Sequence, residues 1–235
     1  MGEHTVTSFD DDLEHIQRLI NDMGDLAGTM VSGAIRALLA SDSALAQRVV
    51  SDDTIMDARQ RELDDRAITL IAKRQPMAQD LRAVVGGIRM AGDLERIGDL
   101  AKNIAKRVSA VGQSPAPRSL AHGIEGMSEM VLGQVQGVIK YYIGRDGDAL
   151  RDLRAADEKI DVKYTSVFRE LLTYMMEDPR NITSCTHLLF CAKNLERIGD
   201  HVTNIAENAY YVVTGDQLPA ARPKFDETAQ AVVAE

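Results

Sequence analysis

The 235-residue sequence predicts an all-α fold: two tandem, pseudo-symmetric three-helix bundles, six long helices in all. Three observations carry that expectation. Apolar residues recur in alternating steps of three and four along most of the chain, the spacing of a helix seam buried against a neighbour. Aromatic residues make up only 4% and Trp is absent, which leaves the core to Leu, Ile, Val, Met and Ala and suits helix-on-helix packing better than a β-sandwich. Finally, Leu94-Glu95-Arg96-Ile97-Gly98-Asp99 recurs identically as Leu195-Glu196-Arg197-Ile198-Gly199-Asp200. A period of about a hundred residues is too long for a solenoid unit and reads as a duplicated bundle.

The elements follow in order. The first helix carries Leu13, Ile16, Ile20, Met23, Ala27, Met30 and Ala34, with Ser8 and Asp11 as its capped start. Ser41-Asp42 interrupts that seam and opens a second helix, which runs to about Lys73. Gln75-Pro76 marks the next start, since proline is tolerated in a first helical turn. The third helix carries Leu81, Val84, Ile88, Ala91, Leu94, Ile97, Ala101, Ile104 and Val108. The run from Gly112 to Pro117 reads as a linker. The same order then repeats: one helix to about Tyr142, a break at Gly144-Arg145-Asp146-Gly147, another helix to about Met176, and a last one opened by Asp178-Pro179 and ended by Gly215. The domains are thus a first bundle at 1–112, a linker at 113–117, a second bundle at 118–215 and a loosely held tail at 216–235.

Composition narrows the function. The net charge is −9, with 27 basic against 36 acidic residues, which argues against nucleic acid as the main partner. No signal-peptide pattern opens the chain and no apolar run reaches the length of a membrane span. Cys185 and Cys191 are six apart on one helix, too far along it to bridge each other. They read as buried thiols of a cytoplasmic protein.

Chemistry is expected at the carboxylates. Residues four apart share a helix face, so Asp53 pairs with Asp57 and Glu95 with Asp99, and the second half repeats this as Asp157 with Asp161 and Glu196 with Asp200. The second and third helices of a bundle are antiparallel neighbours when the turn between them is short. Each half would then gather four carboxylates in one groove. Such a cluster is costly unless it is protonated or neutralised, and iron, manganese or magnesium would answer it through oxygen ligands. The bland alternative is a solvated acidic face, or ion pairing with Arg96, Lys102 and Lys106. Gly98 and Gly199 cost helix stability, about 1 kcal/mol each relative to alanine. They serve either a close approach to the carboxylates or tight helix packing. A di-iron enzyme would instead need Glu-x-x-His, and Gly98 and Gly199 stand at that offset from Glu95 and Glu196. No phosphate-cradling loop or nucleophile motif appears.

The duplicated hexapeptide, the repeated Asn103-Ile104-Ala105 and Asn204-Ile205-Ala206 that follow it, the Asp-x-x-x-Asp pairs upstream and Asp80-Leu81-Arg82 together closely resemble the PhoU family, up to about Gly215. The resemblance implies a non-enzymatic negative regulator of phosphate uptake and of the phosphate-starvation response. It would act by contact with the ATPase of the Pst transporter and a PhoR-type histidine kinase, commonly as a homodimer. It also implies divalent or trivalent metal ions (iron, zinc, manganese or magnesium) on Asp53, Asp57, Glu95, Asp99, Asp157, Asp161, Glu196 and Asp200. The halves depart from each other: Lys106 stands where the second half has Glu207, and no second Asp-Leu-Arg follows Pro179. The two sites are therefore expected to differ, with Glu207 or His201 recruited to the second. A carboxylate-bridged metalloenzyme and a metal-free helical adaptor are the rival readings.

Overall fold

The computed structural model describes residues 3–112 and 118–219. Helix α1 spans Glu3–Ala40, α2 Ser43–Arg74, α3 Gln79–Ala105 and the short α4 Val108–Gly112; α5 spans Arg118–Ile143, α6 Gly147–Ala155, α7 Glu158–Glu177 and α8 Ile182–Thr214. Three long helices in each half reproduce the tandem bundles. The expected linker at 113–117 and the tail beyond Pro219 lie outside the described residues.

Local chemistry explains most of the boundaries. Ser41 takes a left-handed φ of 53°, and the Asp42 carboxylate accepts from the Leu45 N–H at 2.9 Å to cap α2. Gln75 ends α2 in the left-handed region and donates its N–H to Ile71 O. Ala78 has φ 44°, so Pro76 lies in a turn between two strained residues and α3 starts at Gln79, later than expected. At the matching place Asp178 accepts from the Arg180 N–H, and Pro179 opens a 3-10 turn that leads into α8.

Three further boundaries differ from expectation. Helix α1 already begins at Glu3, so Ser8 lies inside it; no Pro or Gly between Thr5 and Asp12 stops a helix there. Lys106-Arg107 forms a turn that puts Val108 on α4 rather than α3. The middle helix of the second half is broken in two. Ala156 and Ile160 donate to carbonyls three residues back, at 3.1 and 2.8 Å, where α6 gives way to α7. No Pro or Gly marks that break in the sequence.

One apolar core runs through both halves, from Ile16 and Met23 on α1 to Val202 and Val212 on α8. The contacts between α3 and α8 fix their sense: Gly86 faces Val212, Asp93 meets His201 and Asn204, and Arg107 meets His187 and the Phe190 ring. The two helices therefore run antiparallel, with the repeated hexapeptides near the middle of their seam. A Cβ on Gly86 would lie 2.3 Å from Val212 Cγ2, and one on Gly24 of α1 would lie 2.5 Å from Ile139 Cγ1 of α5. Glycine at these two places lets the halves close on each other. Among the described residues no helix is long and apolar enough to cross a membrane.

A candidate cation site in each half

In the first half, α2 and α3 bring Asp53, Asp57, Glu95 and Asp99 to one groove. The ε-ammonium of Lys102 stands inside it, 2.6 Å from Asp53 Oδ2 and 2.5 Å from Asp99 Oδ1. Arg96, on the outer rim, reaches Asp99 at 3.2 Å and Glu95 at 3.5 Å. The charges order the acids. Burial pushes the Glu95 carboxyl above its ordinary range, the negative charges of Asp99 and Asp57 add to that, and Arg96 relieves part of it. Burial also acts on Asp99, but its hydrogen bond to Lys102 and the nearby positive charges outweigh it and hold Asp99 below the usual carboxylate range. Lys102 answers in kind: burial alone would lower it, and the two carboxylate bonds hold it well above an ordinary lysine.

The second half gathers Asp157, Asp161, Glu196 and Asp200 in the same relation but deeper. Asp157 is 1% exposed, Asp161 5% and Glu196 6%, whereas in the first half only Asp53 is buried, at 8%, and Asp57, Glu95 and Asp99 are part-exposed. Lys193 approaches Glu196 Oε1 at 2.9 Å from the rim, its own side chain 40% exposed. Glu196 Oε2 is buried with no hydrogen-bond partner among the described residues. Burial drives the Glu196 pKa up, Lys193 eases it, and the charges of Asp200 and Asp161 raise it again. Among the described residues no three His, Cys, Asp or Glu side chains converge closely enough to grip an ion as they stand.

The two glycines of the hexapeptides divide between the two uses expected of them. A Cβ on Gly199 would lie 2.7 Å from Asp157 Oδ1, so glycine there admits a buried carboxylate against the helix. A Cβ on Gly98 would meet Met56 Cγ at 3.2 Å, which is helix packing.

Two expectations for the second half are corrected. Glu207 is not recruited to the carboxylates, because Arg154 of α6 binds it at 2.6 Å. His201 turns away as well and meets Asp93 of the first half at 2.9 Å, where Asn204 joins it. Both side chains found complementary partners outside the cluster. Of the three basic residues weighed as ion-pair partners in the first half, Arg96 and Lys102 are engaged and Lys106 is exposed. The sign in the sequence that Lys102 enters the groove is its place three residues after Asp99, on the same helix face. The Asp93–His201 link left none, since it joins residues from different halves.

Comparison with known proteins gives consistent results. The family described as PhoU domain matches residues 20–108 and 124–209. The phosphate-specific transport system accessory protein PhoU homologue of Rhizobium meliloti (strain 1021) is 57% identical over 225 residues, covering 96% of this chain and 95% of that protein. The homologue of the same name from Caulobacter vibrioides (strain NA1000 / CB15N) is 45% identical, covering 98% and 100%. Among solved structures, PhoU from Pseudomonas aeruginosa superposes with a TM-score of 0.85 at 34% identity, over 88% of this chain and all of that one. The phosphate transport system regulatory protein PhoU from Streptococcus pneumoniae superposes with 0.82 at 25% identity, over 90% and 99%.

Proposed function

The chain belongs to the PhoU family, and from that premise we propose that it is a non-enzymatic accessory protein of a phosphate-specific transport system. On this reading it restrains phosphate uptake and the phosphate-starvation response when phosphate is plentiful. It acts in the cytoplasm, as a homodimer, by contact with the transporter's ATPase and with a PhoR-type sensor kinase. One observation carries the proposal: the likeness to relatives named for that accessory role runs through both bundles and nearly the whole length of either chain.

A metal ion belongs to the same proposal, and the two halves fit it unequally. A bound cation would supply the positive charge that a desolvated set of carboxylates lacks. In the second half Asp157, Asp161, Glu196 and Asp200 would hold it: the donors are all oxygen, which suits manganese, magnesium or iron, and Glu196 Oε2 is a buried acceptor with a bond to spare. In the first half Asp53, Asp57, Glu95 and Asp99 offer the same donors, but the Lys102 ammonium already stands between two of them.

Two measurements test the regulatory reading. Phosphate uptake in high-phosphate medium is expected to rise in cells deleted for this chain and to fall back on complementation. The tagged chain is expected to capture transporter ATPase or kinase from such cells. Unchanged uptake together with capture of neither would overturn the regulatory reading in favour of the helical adaptor.

A further inference from the structure

We infer that the two halves neutralise their acids in different ways. Lys102 is the resident cation of the first half, a covalently attached substitute for an ion, so that ion binding is confined to the second. This rests on the cation reading above for the second half alone.

Three observations converge on it. The first is geometric. The Lys102 side chain is 19% exposed and its ammonium bonds Asp53 from α2 and Asp99 from α3. It occupies the place between the two helices where a bridging ion would neutralise both. An ammonium tethered to the chain is always at hand, so a dissolved cation would have to displace it and leave a third charge, partly buried, without a counter-ion.

The second is the register of the repeat. The identical hexapeptides and the identical Asn-Ile-Ala runs flank position 102 on one side and 203 on the other, so Lys102 corresponds to Thr203. Thr203 is 1% exposed, and its hydroxyl is buried with no hydrogen-bond partner among the described residues. The next differences point the same way: Lys106 and Arg107 correspond to Glu207 and Asn208. After the shared motif, the first half turns basic and the second does not.

The third is burial. The half that carries the internal ammonium buries Asp53, at 8% exposed, beside that ammonium and leaves Asp57, Glu95 and Asp99 part-exposed, where water also screens them. The half with Thr203 buries Asp157, Asp161 and Glu196 almost fully, where a negative charge is costlier to hold than at a part-exposed position. Lys193 contacts Glu196 from the rim, and Glu196 Oε2 keeps an acceptor free.

The test is Mn2+ uptake by the full chain, stripped with chelator, followed by calorimetry and by the electron paramagnetic resonance of free Mn2+. Wild-type uptake is expected to weaken by about tenfold or more in Glu196→Gln and to stay unchanged in Asp99→Asn. Lys102→Thr, which installs the residue of the other half, is expected to gain a further Mn2+ equivalent that Asp99→Asn removes again. Lys102→Arg, which keeps the charge, is expected to gain none. Loss of wild-type uptake in Asp99→Asn, or no gain in Lys102→Thr, overturns the inference. Mn2+ uptake by Lys102→Thr but not by wild type supports the role of Lys102 and sinks the second half as an ion site. If Lys102→Thr unfolds in chelator, its melting temperature is read instead. Recovery with Mn2+ and not with Na+ supports the inference; recovery with neither overturns it.

Discussion

Gly98 and Gly199 occupy the same place in two identical hexapeptides, and their surroundings make opposite demands. Alanine at 199 gains helix propensity of about 1 kcal/mol but sets a methyl 2.7 Å from Asp157 Oδ1 and 3.1 Å from Ile160 Cδ1. Overpacking of that kind costs about 1–3 kcal/mol, so Gly199→Ala is expected to lower stability in urea denaturation. Gly98→Ala meets flexible Met56 and Met30 at 3.2 and 3.5 Å and is expected to be near neutral. Equal losses in both would mean that the two positions serve packing alone. Glu196 gives a pH-dependent prediction. Its folded-state pKa lies above the unfolded value, so between the two the folded chain holds the extra proton and stability falls as pH rises. In chelator the wild type is expected to melt higher just above the ordinary glutamate range than at neutral pH, and Glu196→Gln to flatten that slope and raise the melting temperature at pH 7. A slope unchanged by the substitution would count against a strained carboxylate. Asp99 runs the other way: its lowered pKa contributes stability above the ordinary carboxylate range that is lost as pH falls through the folded value.

Helix by helix, most of the architecture was legible because apolar periodicity is redundant: Ile16, Ile20, Met23, Ala27, Met30 and Ala34 are all buried, so no single misreading could hide α1. Stops written in side-chain chemistry, such as the Asp42 cap and Asp178-Pro179, were legible too. Stops written only in backbone geometry were not. The left-handed Gln75 and Ala78 displaced the start of α3, and the break between α6 and α7 has no residue that announces it. The small residues where elements touch are testable directly. Gly86→Ala drives a methyl to 2.3 Å from Val212 Cγ2, and Gly24→Ala drives one to 2.5 Å from Ile139 Cγ1; each is expected to cost about 1–3 kcal/mol. Gly28, one turn on from Gly24, has open space where a Cβ would sit, and Gly28→Ala is expected to stabilise by up to about 1 kcal/mol. Thermal melts of the three variants check the order, and a destabilised Gly28→Ala would contradict it.

At the scale of the molecule, duplication was the most legible feature and divergence the least. The eight acids could be grouped from their spacing and helix order, and the structure gathers Asp53, Asp57, Glu95 and Asp99 in one groove and Asp157, Asp161, Glu196 and Asp200 in another. Which acids would be buried, and which cation would face them, depended on side chains from other turns and other helices: Lys102, Lys193, and the Arg154 that draws Glu207 aside. Spacing within one helix cannot report such partners. The antiparallel seam of α3 and α8 carries a mechanical consequence. Where Gly86 lies directly against Val212, no long side chain cushions the join, and a close-packed join has little give. At that point the two halves meet as a close fit, with no room for either helix to slide past the other without repacking.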